Sequence, residues 1–118
     1  MQKHTGFTHF LKAFGYSCKG FKSAWQTEAA IRQEVILALV LIPLGAYLGD
    51  TGVEKALLIA SILLVILCEL LNSALEAVVD RISEDYHPLA GKAKDLGSAC
   101  VFVAIVIALV VWGCILFF

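Results

Sequence analysis

Phe7, Phe10, Leu11, Phe14, Cys18, Phe21 and Trp25 recur every three or four positions at the start of the chain, with Lys12, Lys19 and Lys22 between them. That pattern predicts an amphipathic helix over about residues 5–25. Such a helix lies on a membrane surface, its aromatic face in the acyl boundary and its lysines toward anionic head groups. From about Ala29 to Leu48 the apolar run is long enough to cross a bilayer, with Val35 to Leu44 uncharged and Pro43 tolerated as a kink. The turn residues Gly49-Asp50-Thr51-Gly52, followed by Glu54 and Lys55, predict a short hairpin. A second membrane helix then runs from about Val53 to Ser83, longer than a bilayer requires, so its last turns project into the interface. A loop over Glu84-Asp85-Tyr86-His87-Pro88 leads into a third, Leu89 to Phe118, whose last charged residue is Asp95. The expectation is an all-α membrane protein, one domain over residues 1–118, with a surface helix and membrane helices at about 29–48, 53–83 and 89–118.

Composition agrees with that reading and narrows it. The chain is 60% hydrophobic and 16% charged, with mean hydropathy +0.87, too apolar for an ordinary soluble domain of 118 residues. A net charge of −1 and the lack of a basic stripe exclude nucleic acid as a partner. Cys18, Cys68, Cys100 and Cys114 are far apart, without a CxxC pair or a neighbouring His, and are expected to be small buried apolar residues. Met1 to Lys22 lacks the organisation of a signal peptide, so no cleavage is expected. Lys3, Lys12, Lys19, Lys22 and Arg32 precede the first span and Arg81, Lys92 and Lys94 flank the second loop, against Lys55 alone in the first loop. Basic residues accumulate in cytoplasmic flanks, so the N-terminus and second loop are expected to be cytoplasmic, with Trp112 and Phe117-Phe118 at the far interface.

The chemistry is concentrated on the second membrane helix. Glu69, Asn72, Ser73, Glu76 and Asp80 are spaced by three, one, three and four residues, one stripe of a helix otherwise built from Leu, Ile, Val and Ala. A carboxylate deep in hydrocarbon costs at least ~2.5 kcal/mol, so the stripe requires a partner or a purpose. Counted from Asp80, Glu76 lies roughly 6 Å and Glu69 roughly 16 Å along the axis. Interhelical polar contacts are the plain alternative, with Ser73 a small residue for close packing. Lys94, Asp95 and Ser98 start the third membrane helix at the depth of Glu76, and Glu28 and Arg32 start the first, one turn apart. Taken singly, Lys94 and Arg32 are ordinary interface cations and Glu28 a helix N-terminal charge. Together, Glu28, Glu76 and Asp80 offer the hard oxygens Mg²⁺ prefers, Lys94 a charge for phosphate, and Glu69 a base. With no Walker A sequence or protein-kinase glycine loop, the residues leave phosphoryl transfer at a membrane and ion transport both open.

The run Glu69-Leu-Leu-Asn72-Ser73-Ala-Leu-Glu76-Ala-Val-Val-Asp80-Arg81 closely resembles the bacterial integral-membrane diacylglycerol kinase family. So do Glu28-Ala29-Ala30, Arg32-Gln33-Glu34, Lys92-Ala-Lys94-Asp95-Leu-Gly-Ser98-Ala99, Gly6-Phe7-Thr8 and Gly15-Tyr16-Ser17, a set covering almost the whole chain. The resemblance implies a homotrimeric bundle in the bacterial inner membrane that transfers the γ-phosphate of MgATP to diacylglycerol, making phosphatidic acid. It implies Glu69 as general base, Asn72 as its orienting neighbour, and Glu28 and Glu76 as Mg²⁺ ligands. Tyr16, Asp85, Tyr86, His87, Lys94 and Asp95 match positions that contact ATP, with His9 where family members often carry Arg. Lys22, Trp25, Arg32, Ser98 and Trp112, beside Glu69, match positions near the lipid. A polyprenol such as undecaprenol is the nearest alternative acceptor, and a small oligomeric ion channel or a purely structural membrane subunit the alternatives outside catalysis.

Overall fold

The structure, a computed structural model, describes residues 6–82, 85 and 87–118. Met1–Thr5, Ser83, Glu84 and Tyr86, which include the expected start of the first helix, the expected end of the second membrane helix and two residues of the second loop, lie outside the described residues. Among the described residues four α-helices follow in order: α1 (Gly6–Thr27), α2 (Ala29–Leu48), α3 (Gly52–Ile82) and α4 (Pro88–Phe117). The last three are long and apolar enough to cross a membrane, and Pro43 sits inside α2 without ending it.

Local chemistry explains where the elements start and stop. Thr51 Oγ1 accepts from Glu54 N at 3.1 Å, and Glu54 Oε1 accepts from Asp50 N at 3.0 Å. This is a close relative of the reciprocal capping box, and it turns the chain from α2 into α3. At the other turn, His87 is the N-cap of α4: its Nδ1 accepts from Leu89 N at 3.0 Å, and Pro88 occupies the first turn, where it forfeits no hydrogen bond. Between α1 and α2, Arg32 Nη1 donates to Trp25 O at 2.7 Å and to Gln26 O at 3.4 Å. A guanidinium thus satisfies carbonyls that the last turn of α1 leaves unpaired.

α3 is the central element, packed on α4 along one side and α2 along the other. The contact is built from Ile31 and Ala38 of α2, Leu58, Ile62 and Val65 of α3, and Val101 and Ala104 of α4, all buried. Small residues let the backbones approach, which is how membrane helices gain packing where lipid is as apolar as the interior. At Gly45 a Cβ would stand 3.0 Å from Leu58 Cβ and 3.5 Å from the Trp112 ring. The Trp112 indole N–H donates to both Leu58 O, 3.2 Å, and Ser61 Oγ, 3.1 Å. Ser61 Oγ in turn donates to Leu58 O at 2.9 Å. One side chain thereby ties α4 to α3 beside α2.

Most of the remaining apolar surface faces outward, Phe102 and Leu109 of α4 and Leu39 of α2 among it. The cysteines correct an expectation: Cys18, Cys100 and Cys114 are exposed and Cys68 only half-buried, none of them paired. An apolar surround serves a thiol as well as a core does, so in a membrane chain a cysteine has no need to face inward.

Candidate functional site

The polar residues of α3 do not all meet the same neighbour. Asn72 points at α4, where Gly97 leaves room for its Oδ1, and its Nδ2 donates to Glu76 Oε1 at 3.3 Å. Ser73, one residue on, faces α1 instead and lines a cleft of about 470 Å³ with Ser17, Ser23, Thr27 and Glu28. Glu28 stands between α1 and α2 in an extended conformation, and its carboxylate does not cap the helix it precedes. Glu28, Glu34 and Glu76 all lie within electrostatic range of Glu69. The structure therefore gathers four carboxylates from α2, α3 and their junction with α1 into one region. Such an array repels itself unless a cation joins it.

One cationic group, Lys94, borders that region on the α4 side. Lys94 Nζ pairs with Asp80 Oδ1 at 2.8 Å, both side chains being about half exposed, and lies within electrostatic range of Glu76. Asp95 and Ser98, either side of the buried Gly97, are exposed. A second cleft, about 460 Å³, opens where α3 turns into α4 and is lined by Val79, Ile82, Leu89 and Ala93, with Asp85 and His87 at its edge. Apolar walls with a few polar groups suit a flat ring system. Tyr86 lies outside the described residues.

On α1, His9, Tyr16, Lys22 and Trp25 are all exposed. Lys19 stacks its ammonium over the Tyr16 ring, 5.9 Å from the centroid. Arg32 is bonded to α1 carbonyls as described, so its guanidinium fixes the α1–α2 corner beside Glu28.

Trp112 is placed apart from the carboxylates. Its partner Ser61 is eight residues from Glu69, roughly 12 Å along α3. The two ends are nevertheless joined by a groove of about 340 Å³ with Trp112 at one end and Glu34 at the other, walled by Leu37, Leu41, Ile62, Val65 and Ile105. Glu34, a half-buried carboxylate on the inner face of α2, was not legible as a site residue because it reads as an interface charge at the helix entrance. Its signal was register: Glu34 falls between Ile31 and Ala38, both buried against α3. Gly97 was not legible either, since a glycine carries no chemical signature of its own.

Two carboxylates with substrate phosphates are what Mg²⁺ ordinarily takes, in contrast to metals held by a full protein cage. Among the described residues no group of three or more His, Cys, Asp or Glu is positioned to hold a metal by itself. Of the two expected ligands, Glu28 lines the α1 cleft while Glu76 lies outside its lining and accepts from Asn72; both offer the hard carboxylate oxygens that suit a metal arriving with its nucleotide.

The family model for prokaryotic diacylglycerol kinase matches residues 15–116. The chain is 54% identical to a diacylglycerol kinase of Haemophilus influenzae over 118 residues, the whole of both chains. It is 51% identical to that of Escherichia coli K12 over 112 residues, 95% of this chain and 91% of the relative. A diacylglycerol kinase of Helicobacter pylori is 43% identical over 111 residues, 94% of this chain and 87% of the relative.

Proposed function

The chain belongs to the prokaryotic diacylglycerol kinase family, and from that membership we propose that it transfers the γ-phosphoryl group of MgATP to the free hydroxyl of diacylglycerol, releasing phosphatidic acid and ADP. The reaction takes place at the cytoplasmic edge of the membrane helices, in the bacterial inner membrane, with the N-terminus cytoplasmic as the Lys and Arg distribution favours. α1 lies on that face, with Phe7, Phe10, Phe14, Phe21 and Trp25 toward lipid. The functional unit is a homotrimer, in which the exposed apolar faces of α2 to α4 are divided between lipid and neighbouring subunits.

The observation that carries this reading is that Glu28 and Glu76 both lie within electrostatic range of Glu69, and that Lys94, paired with Asp80, lies within range of Glu76. Phosphoryl transfer asks a protein mainly for positioning and charge neutralisation. Glu28 and Glu76 hold Mg²⁺, which when bound with ATP neutralises phosphate charge. Lys94 exchanges Asp80 for a phosphate oxygen. Asp85 and His87 contact the nucleotide from the α3–α4 turn, Asp95 from α4, and His9 and Tyr16 from α1, with Tyr86 a further nucleotide contact. Glu69 takes the proton of the lipid hydroxyl as that oxygen bonds to the γ-phosphorus and the bond from the γ-phosphorus to the β-bridging oxygen breaks, with ADP carrying away the charge. Asn72 restrains the neighbouring Glu76. Lys22, Trp25, Arg32 and Ser98 border the lipid head, and the groove from Glu34 to Trp112 accommodates an acyl chain.

Transfer of labelled phosphate from ATP to dioleoylglycerol in mixed micelles tests the reading, with Glu69→Gln and an undecaprenol sample alongside. Transfer to diacylglycerol that disappears in Glu69→Gln while MgATP still binds is the expected result. Full activity in that variant would remove Glu69 from the role of base, and transfer to undecaprenol alone would change the acceptor.

A further inference from the structure

Asn72 Oδ1 is the one half-buried side chain's polar atom that, among the described residues, is enclosed without a hydrogen-bond partner. It rests against Gly97 of α4, while Nδ2 of the same amide donates to Glu76 Oε1. Reversing the amide would not help. An NH₂ group would then be buried without an acceptor, and Oδ1 would face the Glu76 carboxylate, acceptor against acceptor. The amide orientation is therefore dictated by Glu76, one turn along α3.

This arrangement depends on a missing side chain. A Cβ at Gly97 would overlap Asn72 Oδ1 and stand 3.2 Å from Asn72 Cγ, and the clash is with the short, stiff end of a side chain already enclosed. Gly97 is buried on the α4 face continued by Val101 and Ala104, so α4 cannot retreat there without opening that contact. A glycine inside a helix is unfavourable relative to alanine, and its presence at 97 calls for a reason in packing. Gly113 on the same helix has open space where a Cβ would stand.

We propose that Gly97 is a positioning residue for phosphoryl transfer: it admits the Asn72 amide between α3 and α4, and through that amide holds the Glu76 carboxylate where it meets the metal of MgATP. The proposal rests on the reading of Glu76 as a metal ligand. A side chain at 97 displaces Asn72 and releases Glu76. Loss of a hydrogen-bond partner behind a metal ligand typically weakens metal binding ~10- to 100-fold.

The test uses the full chain in micelles, with Mn²⁺ as the probe, its affinity read by electron paramagnetic resonance in the presence of a non-hydrolysable ATP analogue. The Mg²⁺ dependence of kcat and the KM for ATP are measured in parallel. Gly97→Ala is expected to weaken Mn²⁺ ~10- to 100-fold and raise the Mg²⁺ requirement, Asn72→Ala to do the same, and the double variant to be no worse than Asn72→Ala alone. Gly113→Ala is expected to leave all three unchanged. Gly97→Ala behaving like Gly113→Ala would overturn the proposal alone, whereas undiminished Mn²⁺ affinity in Glu76→Gln would overturn the metal reading and the proposal with it. If Gly97→Ala does not fold, recovery of folded protein on adding Asn72→Ala supports the proposal, because the overlap has been removed. A double variant that also fails to fold would refute it.

Discussion

Trp112→Phe separates the indole's hydrogen bond from its apolar bulk. The substitution removes one N–H donor shared between Leu58 O at 3.2 Å and Ser61 Oγ at 3.1 Å. Ser61 keeps its own bond to Leu58 O, so no hydroxyl is stranded. An interhelical hydrogen bond within a bilayer is worth ~0.6 kcal/mol on average and up to ~1.7. The indole atoms Cζ2 and Cη2, which approach Gly45, have no counterpart in the smaller Phe ring, and partial loss of a core contact of that size adds roughly 1 kcal/mol. The expected destabilisation is therefore about 2 kcal/mol. It is measured by SDS titration in micelles followed by circular dichroism, since tryptophan fluorescence would lose one of its two reporters. Phe still offers an apolar wall to the groove, so the KM for diacylglycerol should change less than about twofold, well under the ~1.4 kcal/mol of a tenfold change. Unchanged stability with a lipid KM raised severalfold would refute the reasoning, and would make Trp112 a lipid contact first and a helix tie second. Ser61→Ala added to Trp112→Phe should cost less than Ser61→Ala in the native chain, because the two act through one bond.

Three further outcomes follow from the site. Asp80→Asn frees Lys94 from its exposed partner, so the KM for ATP should fall by no more than a few-fold, an exposed pair being weak; a rise in KM would mean that Asp80 itself contributes to nucleotide binding. Arg32→Ala leaves the last carbonyls of α1 uncapped and should destabilise the α1–α2 corner by about 1 kcal/mol, seen as faster proteolysis between Trp25 and Glu28; unchanged cleavage would show that the corner is held by other contacts. His9→Arg should leave the KM for ATP unchanged or lower, since a guanidinium is the better phosphate partner; a marked rise would assign His9 another role.

The order of elements was legible because a bilayer imposes long apolar runs, and three such runs stand out between Ala29 and Phe117. The polar residues of α3 were legible for the complementary reason: carboxylates among Leu, Ile and Val declare themselves. Their distribution among neighbours was not. Asn72 and Ser73 are adjacent in sequence, yet one faces Gly97 on α4 and the other the α1 cleft. Periodicity fixes which residues share a face but not which helix that face meets, and α4, apolar all round beyond Ser98, offers no inward side to read there. The cysteines were misjudged through the same ambiguity, because lipid and core are alike to a thiol. Arg32 shows another limit: its cation was legible, but its use as a cap on α1 depends on the angle at which α1 and α2 meet.

The unequal lengths of the helices bear on the membrane in which this chain can work. α2 has 20 residues, close to the ~30 Å of a bilayer core, whereas α3 and α4 have 31 and 30. The Gly49–Thr51 turn keeps α2 and α3 flush at one end, so the whole excess of α3, about ten residues or ~15 Å, emerges at the other. Counted back from that turn, the start of α2 is level with Leu71, which leaves Glu76 and Asp80 in the overhang and Glu69 just below it. Bilayer thickness thus enters the chemistry as a length. On the proposed roles of Glu76 at the nucleotide and Glu69 at the lipid hydroxyl, a hydrocarbon core thicker by five residues of helix, ~7.5 Å, would submerge Glu76 and part it from water-borne nucleotide. One correspondingly thinner would lift Glu69 out of the lipid that carries its substrate.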